Sequence, residues 1–119
     1  MSCKIKNDIG EITIETEVIA RIAGHAAMDC YGIVGMAAKN VKDGIVQLLK
    51  RESVTRGVSL VSSGAGVVIT LHIIVEYGTN IPAICESLIS TVQYNIEEYV
   101  GLEVEKVEVF VDGLHVGKA

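Results

Sequence analysis

The run from Val67 to Tyr77 constrains this chain more than any other stretch. Val67, Ile69, Leu71, Ile73, Val75 and Tyr77 fall on one side of an extended backbone; Val68, Thr70, His72, Ile74 and Glu76 fall on the other. The first side is almost wholly apolar and has to meet a core. The second is mixed and partly wet. Val58 to Ser62 also reads as a strand, and Ser63-Gly64-Ala65-Gly66 between the two is turn chemistry, so a hairpin is expected. That turn has neither the lysine nor the following helix of a phosphate-binding loop.

A strand with one oily face needs elements with oily stripes to cover it. Val18, Ile19, Ile22, Ala23, Ala26, Ala27 and Cys30 recur at helical spacing, with Thr16 as the expected cap and Glu17 in the first turn. Arg21, His25 and Asp29 stand four apart on another side of that helix. Small residues (Ala20, Ala23, Gly24, Ala26, Ala27) allow it to approach a neighbour closely, and Gly32 and Gly35 are expected to end it. A second long helix is marked by Ile84, Cys85, Leu88, Ile89, Val92, Ile96 and Tyr99, with Pro82 in its first turn and Gly101 as its C-terminal cap.

Ile12 and Ile14 mark a short first strand, and Val107, Val109 and Val111 a last one. Between them, Met36 to Lys42 reads as irregular or a turn of helix. Gly44 to Arg51 reads as a short helix, 52 to 57 carries no pattern, and the tail from Gly113 reads as loose. The expected order is β-α-(α)-β-β-α-β. The class is α+β: a mixed sheet of three to four strands with helices packed mainly on one face, in one domain over residues 1–119. No linker or internal repeat divides the chain. If the long strand and the last strand lie parallel in one sheet, the crossover through the second helix is right-handed.

Charge and composition narrow the function. The chain has net charge −5, no Trp, one Phe and four Tyr, which gives little for a nucleic acid to bind through phosphates or stacked bases. The segment Met36 to Arg56 runs the other way. Lys39, Lys42, Lys50, Arg51 and Arg56 oppose Asp43 and Glu52, so the segment is +3 and the remainder −8. It is either a solvated helix face or a docking surface for an acidic partner. The N-terminus lacks a signal-peptide core, and the nine residues Val67 to Val75 are too few to span a bilayer as a helix. A cytoplasmic protein with no direct membrane insertion is expected. Cys3, Cys30 and Cys85 are odd in number and form no CxxC, which argues against a disulfide framework or a zinc site.

No reactive constellation stands out, so no catalytic residue, cofactor or metal is assigned. His25 and Asp29 have helical metal spacing, but the set is incomplete even with Cys30 adjacent. Nothing in the sequence puts His25, His72 or His115 beside Cys30 or Cys85, and both thiols lie on apolar helical stripes. Gly32-Ile33-Val34-Gly35 is formally the GxxG of KH domains, yet its interior is apolar and a helix-ending turn accounts for it. The most suggestive feature is the mixed strand face. Val68, His72 and Ile74, with Phe110 from the last strand, form an exposed apolar patch unless the helix expected at 44–51 covers them.

These residues also resemble a known family. Gly10-Glu11-Ile12-Thr13-Ile14, then Val18-Ile19-Ala20-Arg21-Ile22-Ala23-Gly24-His25-Ala26-Ala27, then Gly32-Ile33-Val34-Gly35-Met36 look like the opening of the alkaline-shock proteins. Val92-Gln93, Gly101-Leu102-Glu103-Val104 and Val107 to Leu114 resemble their C-terminal half. The likeness covers nearly the whole chain. Glu108 stands where Asn is usual, and Cys30-Tyr31 where an apolar Val is common. The resemblance implies a bacterial cytoplasmic protein linked to envelope or alkaline stress. Some relatives self-associate and gather at the membrane through a membrane-anchored partner, and no catalytic residue comes with the family. The expectation is a non-enzymatic scaffold that forms homo-oligomers or docks to a protein partner, which can itself be membrane-anchored. The expected surface is Val68, His72, Ile74 and Phe110, with the basic residues between 39 and 56. The alternatives are a KH-like nucleic-acid module, which the charge balance does not favour, and an accessory subunit of a small-molecule kinase.

Overall fold

The computed structural model describes residues 2–40, 45–49, 51–63 and 66–116. The class is α+β, as expected. Strands β1 (Ser2–Lys6) and β2 (Glu11–Glu15) form an antiparallel hairpin, and α1 (Thr16–Met28) follows directly. Next come β3 (Ile33–Asn40), β4 (Ile45–Leu48), a 3-10 helix (Arg51–Gly57), β5 (Val58–Ser63) and β6 (Gly66–Glu76). The chain ends with α2 (Ile81–Asn95), a wide π-helical turn (Ile96–Val100) and β7 (Val104–His115).

Strand β6 organises the main sheet, which has five strands. On one edge it pairs antiparallel with β5 over its first half, Val58 opposite Leu71, and with β3 over its second half, Ile33 opposite Val75. On the other edge it pairs parallel with β7 from Val67 to Glu76. The hairpin of β5 and β6 is as read from the sequence; the parallel pairing of β6 with β7, which the sequence reading held only as a condition, is what the structure shows.

The alternation along β6 holds. Val67, Ile69, Leu71, Ile73 and Val75 are buried in one hydrophobic cluster with the apolar stripes of both helices. Ile19, Ala23, Ala26 and Ala27 come from α1; Ile84, Leu88, Val92 and Ile96 come from the second helix. Burial of this order is the main stabilising term for a domain of this size. The small residues of α1 act as expected. A Cβ on Gly24 would stand 2.9 Å from Val54 Cγ2, so glycine lets the 3-10 helix seat Val54 in the core. Asn80 caps α2 by accepting the Ala83 N–H at 3.1 Å, with Pro82 in the first turn.

Five expectations need correction. The first residues form a strand, β1, whose turn is closed by Asn7 Oδ1 accepting the Ile9 and Gly10 N–H groups at 2.9 Å. Glu15, not Thr16, occupies the cap position of α1, and no side-chain bond caps it. In the stretches read as irregular and as a short helix, Met36 to Asn40 belong to β3 and Ile45 to Leu48 to β4, so the sheet is wider than expected; residues 41–44 and 50 lie outside the described residues. The helix α1 stops before both glycines; Gly32 turns the chain at φ +87°, and Gly35 lies inside β3. The tail from Gly113 extends β7 to His115, because Leu114 pairs with Val75 and the Tyr77 N–H reaches His115 O at 2.8 Å.

Two stability measurements test this core. Leu88→Ala should cost about 2–5 kcal/mol in urea denaturation, as deletion of a fully buried leucine does. Gly32→Ala should cost more than Gly78→Ala. Both glycines have φ near +90° (+87° and +89°), but a Cβ on Gly32 would strike the Ile84 side chain whereas one on Gly78 meets nothing within 4 Å. The left-handed strain alone is about 1–2 kcal/mol. Equal losses for the two variants would mean that the Ile84 contact does not hold the turn.

Candidate partner-binding surfaces

The helices cover one face of the main sheet and leave the other open. On the open face β6 presents Val68, Thr70, His72, Ile74 and Glu76; the paired β7 positions are Lys106, Glu108, Phe110, Gly113 and His115. The β5 position opposite Val68 is Val61, which is 58% exposed. The patch read from the sequence is therefore assembled across neighbouring strands.

Its centre is a polar-apolar pair. The ring of His72 stacks on Phe110 with centroids 5.0 Å apart and planes 12° from parallel. Asp112 is the extra residue where the register of β7 shifts, and its Oδ2 lies 2.8 Å from His72 Nδ1. A carboxylate only accepts, so it holds that nitrogen as the donor and fixes the ring plane on Phe110. The neighbouring polar side chains also have partners. Thr70 Oγ1 donates to Glu108, Lys106 Nζ sits 3.1 Å from the same carboxylate, and His115 Nδ1 lies 3.2 Å from Glu76. The hydrogen bond from Lys106, with its charge, holds the Glu108 carboxyl below the usual carboxylate range.

The expected site residues do not all meet here. Val68 and His72 are half-buried and Phe110 is 48% exposed, as a docking face requires. Ile74 is only 9% exposed: it lies on the floor of a cleft with Val34, Leu48 and Leu114. Of the basic residues, Arg56 is exposed, but its 3-10 helix packs on α1 and does not join the Phe110 face. Lys39 lies in β3 and Arg51 opens the 3-10 helix; Lys42 and Lys50 lie outside the described residues.

A second surface does not follow from the sequence reading. A groove of about 730 Å³ runs between α1 and the end of the second helix. Val18, Ile22 and Ala26 form its floor along α1, and Asn95 and Tyr99 close its far side. Helical spacing assigns Val18 and Tyr99 to the core; they are 50% and 73% exposed. The cause for Tyr99 is the π turn, in which the Gly101 N–H reaches Ile96 O at 3.1 Å. Such a turn adds a residue to the helical repeat, and no sequence period announces it. Glu15, Glu17, Arg21, His25 and Asp29 form the rim, so the four-residue spacing of Arg21, His25 and Asp29 is the available signal.

The reactive candidates are not drawn together. Among the described residues no three His, Cys, Asp or Glu side chains form a group that could hold a metal. Burial pushes the Cys30 thiol up, against a hydrogen bond with Thr91 and helped by Asp29, and its Sγ lies 3.4 Å from Ala26 O. Burial pushes Cys85 up as well. A raised thiol is a poor nucleophile, so both behave as small hydrophobes. The glycines of the GxxG are packing positions: a Cβ on Gly32 would strike Ile84, and one on Gly35 would stand 2.9 Å from Leu48. Among the described residues no helix is long and apolar enough to cross a bilayer.

Residues 4–116 match the model of the family of alkaline-shock protein 23, described as having a cell envelope-related function. The chain is 43% identical over 117 residues to the "Uncharacterized protein YloU" of Bacillus subtilis (strain 168), covering 98% of each. It is 32% identical over 117 residues to "Uncharacterized protein Spy1614" of Streptococcus pyogenes serotype M6, covering 98% of this chain and 97% of that one. A "Stress response regulator gls24 homolog" of Streptococcus pyogenes serotype M3 is 31% identical over 105 residues, which are 86% of this chain and 57% of that protein. No solved structure matches the chain. With a family match across nearly its whole length and relatives aligned end to end, this chain belongs to the alkaline-shock protein family that its sequence resembles.

Proposed function

We propose that this chain is a non-enzymatic docking protein at the inner face of the bacterial cell envelope, and that it binds a membrane-anchored protein through its open sheet face. The observation that carries the reading is the Phe110–His72 stack, flanked by Val61 and Val68 on a sheet side that neither helix covers. A row of apolar side chains whose neighbouring polar groups already have partners within the fold suits a protein partner. The envelope-related description of the family and the stress-response name of a relative supply the cellular setting. The exposed Arg56, as part of the basic 39–56 segment, would add attraction for an acidic partner at a separate edge.

Phe110→Asp tests this directly. Phe110 is exposed but stacks on His72 within β7, so the substitution should cost about 1–2 kcal/mol in denaturant and leave the domain folded. The share of protein that sediments with the envelope fraction should fall several-fold. A parent protein that never sediments with envelopes, or a Phe110→Asp variant that sediments equally well, would end the proposal. Association of the purified chain only with itself, lost in the same variant, would replace the membrane-anchored partner with a second copy.

A further inference from the structure

The groove between α1 and the π turn lies on the helical layer, away from the Phe110 face, and its chemistry is different. We infer that it is a second docking site, and that its occupant is a basic amphipathic helix of a protein partner. This second site stands independently of the sheet-face reading.

The floor sets the shape of the occupant. Val18, Ile22 and Ala26 follow one another at four-residue intervals, so they make a straight ridge along α1. From Val18 to Asp29 the groove follows α1 for roughly 16 Å at 1.5 Å per residue, the length of about three turns of a docked helix. Its lining comes from helices, with Glu15 at the end of β2, and exposes no run of strand-edge backbone groups. An extended peptide would find no ladder there. A helix satisfies its own backbone and offers apolar side chains at i, i+3, i+4 and i+7. Tyr99 stands at the side with its ring exposed, packed edge-on against Tyr94 at 6.5 Å. A tyrosine in that position is an ordered contact of low entropic cost and a face for a cation.

The charge sets the sign of the occupant. From Glu15 to Asp29 and from Ile81 to Val100 the helical layer carries Glu15, Glu17, Asp29, Glu86, Glu97 and Glu98 against one guanidinium, Arg21. Six carboxylates against one arginine make this layer formally −5; at the groove itself Glu15, Glu17 and Asp29 oppose Arg21, a formal −2. Arg21 is itself engaged by Glu17 at 3.5 Å. Lysines and arginines flanking an apolar helical stripe would meet the acidic rim while the stripe meets Val18 and Ile22. An anionic lipid or fatty acid has the same apolar part but the wrong headgroup for this rim.

The probe is a fluorescein-labelled peptide of roughly 15 residues built from leucine and lysine, with leucine at helical spacing. It should bind the full chain saturably, weaken as salt rises, and weaken roughly tenfold with Val18→Lys. Val18 is half-exposed, so that variant should keep the parent's circular dichroism. Glu17→Lys combined with Asp29→Lys, which leaves the floor intact, should weaken binding comparably. Phe110→Asp should leave binding unchanged, which separates this site from the sheet face. Any one of four results would overturn the inference: equal binding of a leucine–glutamate peptide, no effect of Val18→Lys, preferential binding of phosphatidylglycerol vesicles, or a Val18-dependent dimer in sedimentation.

Discussion

The fold rests on one strand that is paired on both edges and oily on one face. Strand β6 is eleven residues long and shares one edge between two partners, β5 and then β3, while β7 runs along the whole of the other. Its backbone groups are therefore largely satisfied within the sheet, and its register fixes that of three other strands. Because Val67, Ile69, Leu71, Ile73 and Val75 all face one way, the two helices must lie on that side. Among the described residues the remaining elements are strands and a short 3-10 helix, and no helix lies on the opposite side.

Elements with a long, regular pattern are legible in the sequence; elements held by tertiary pairing are not. Strand β6 and the two helices announce themselves by period, and their stripes match the buried set at Ile19, Ala23, Ile84, Leu88 and Val92. The stretch Met36-Ala37-Ala38-Lys39 has helix-forming composition, yet it is a strand. Met36 pairs with Ile73 of β6, and Ala37 with Leu48 of β4. A short segment takes the conformation of the edge that accepts it, because cross-strand packing outweighs propensities of a fraction of a kcal/mol per residue. The same holds for the end of β7. Gly113 and Leu114 read as tail residues, but the register against Ile74 and Val75 extends the strand through them.

The surfaces are legible to a similar degree. Alternation puts His72 and Phe110 on the open face, and the parallel register brings them side by side. The same alternation puts Ile74 there too, but the flanking residues Val34, Leu48 and Leu114 wall it in, a consequence of strands β3 and β4, which no sequence pattern announces. In the helices the error has the opposite sign. Val18 and Tyr99 fit an apolar stripe by spacing, and both stand in solvent. A stripe read at helical period is broad, and which of its margins is covered depends on where the neighbouring helix ends. Here the neighbour ends in a π turn, a local departure set by packing and by the left-handed Gly101 cap at φ +85° rather than by a repeating pattern.

The two surfaces divide the forces of recognition between them. On the sheet face the polar side chains find partners within the fold: Lys106 forms an ion pair with Glu108, and the imidazoles of His72 and His115 meet Asp112 and Glu76. Shape and the apolar row are therefore what this face would offer a partner. On the helical layer the carboxylates outnumber the single arginine, and their field extends over roughly a Debye length of 8 Å at physiological salt. A cationic partner there would be drawn in by sign before its apolar contacts formed. The separation follows from the sheet itself. Ion pairs form readily between neighbouring strands that hold side chains close together in register. The carboxylates of α2 and its π turn, in contrast, have no lysine or arginine anywhere between Ile81 and Val100 with which to pair along their own helix. One protein of this size can thus present two faces that do not compete for the same kind of partner.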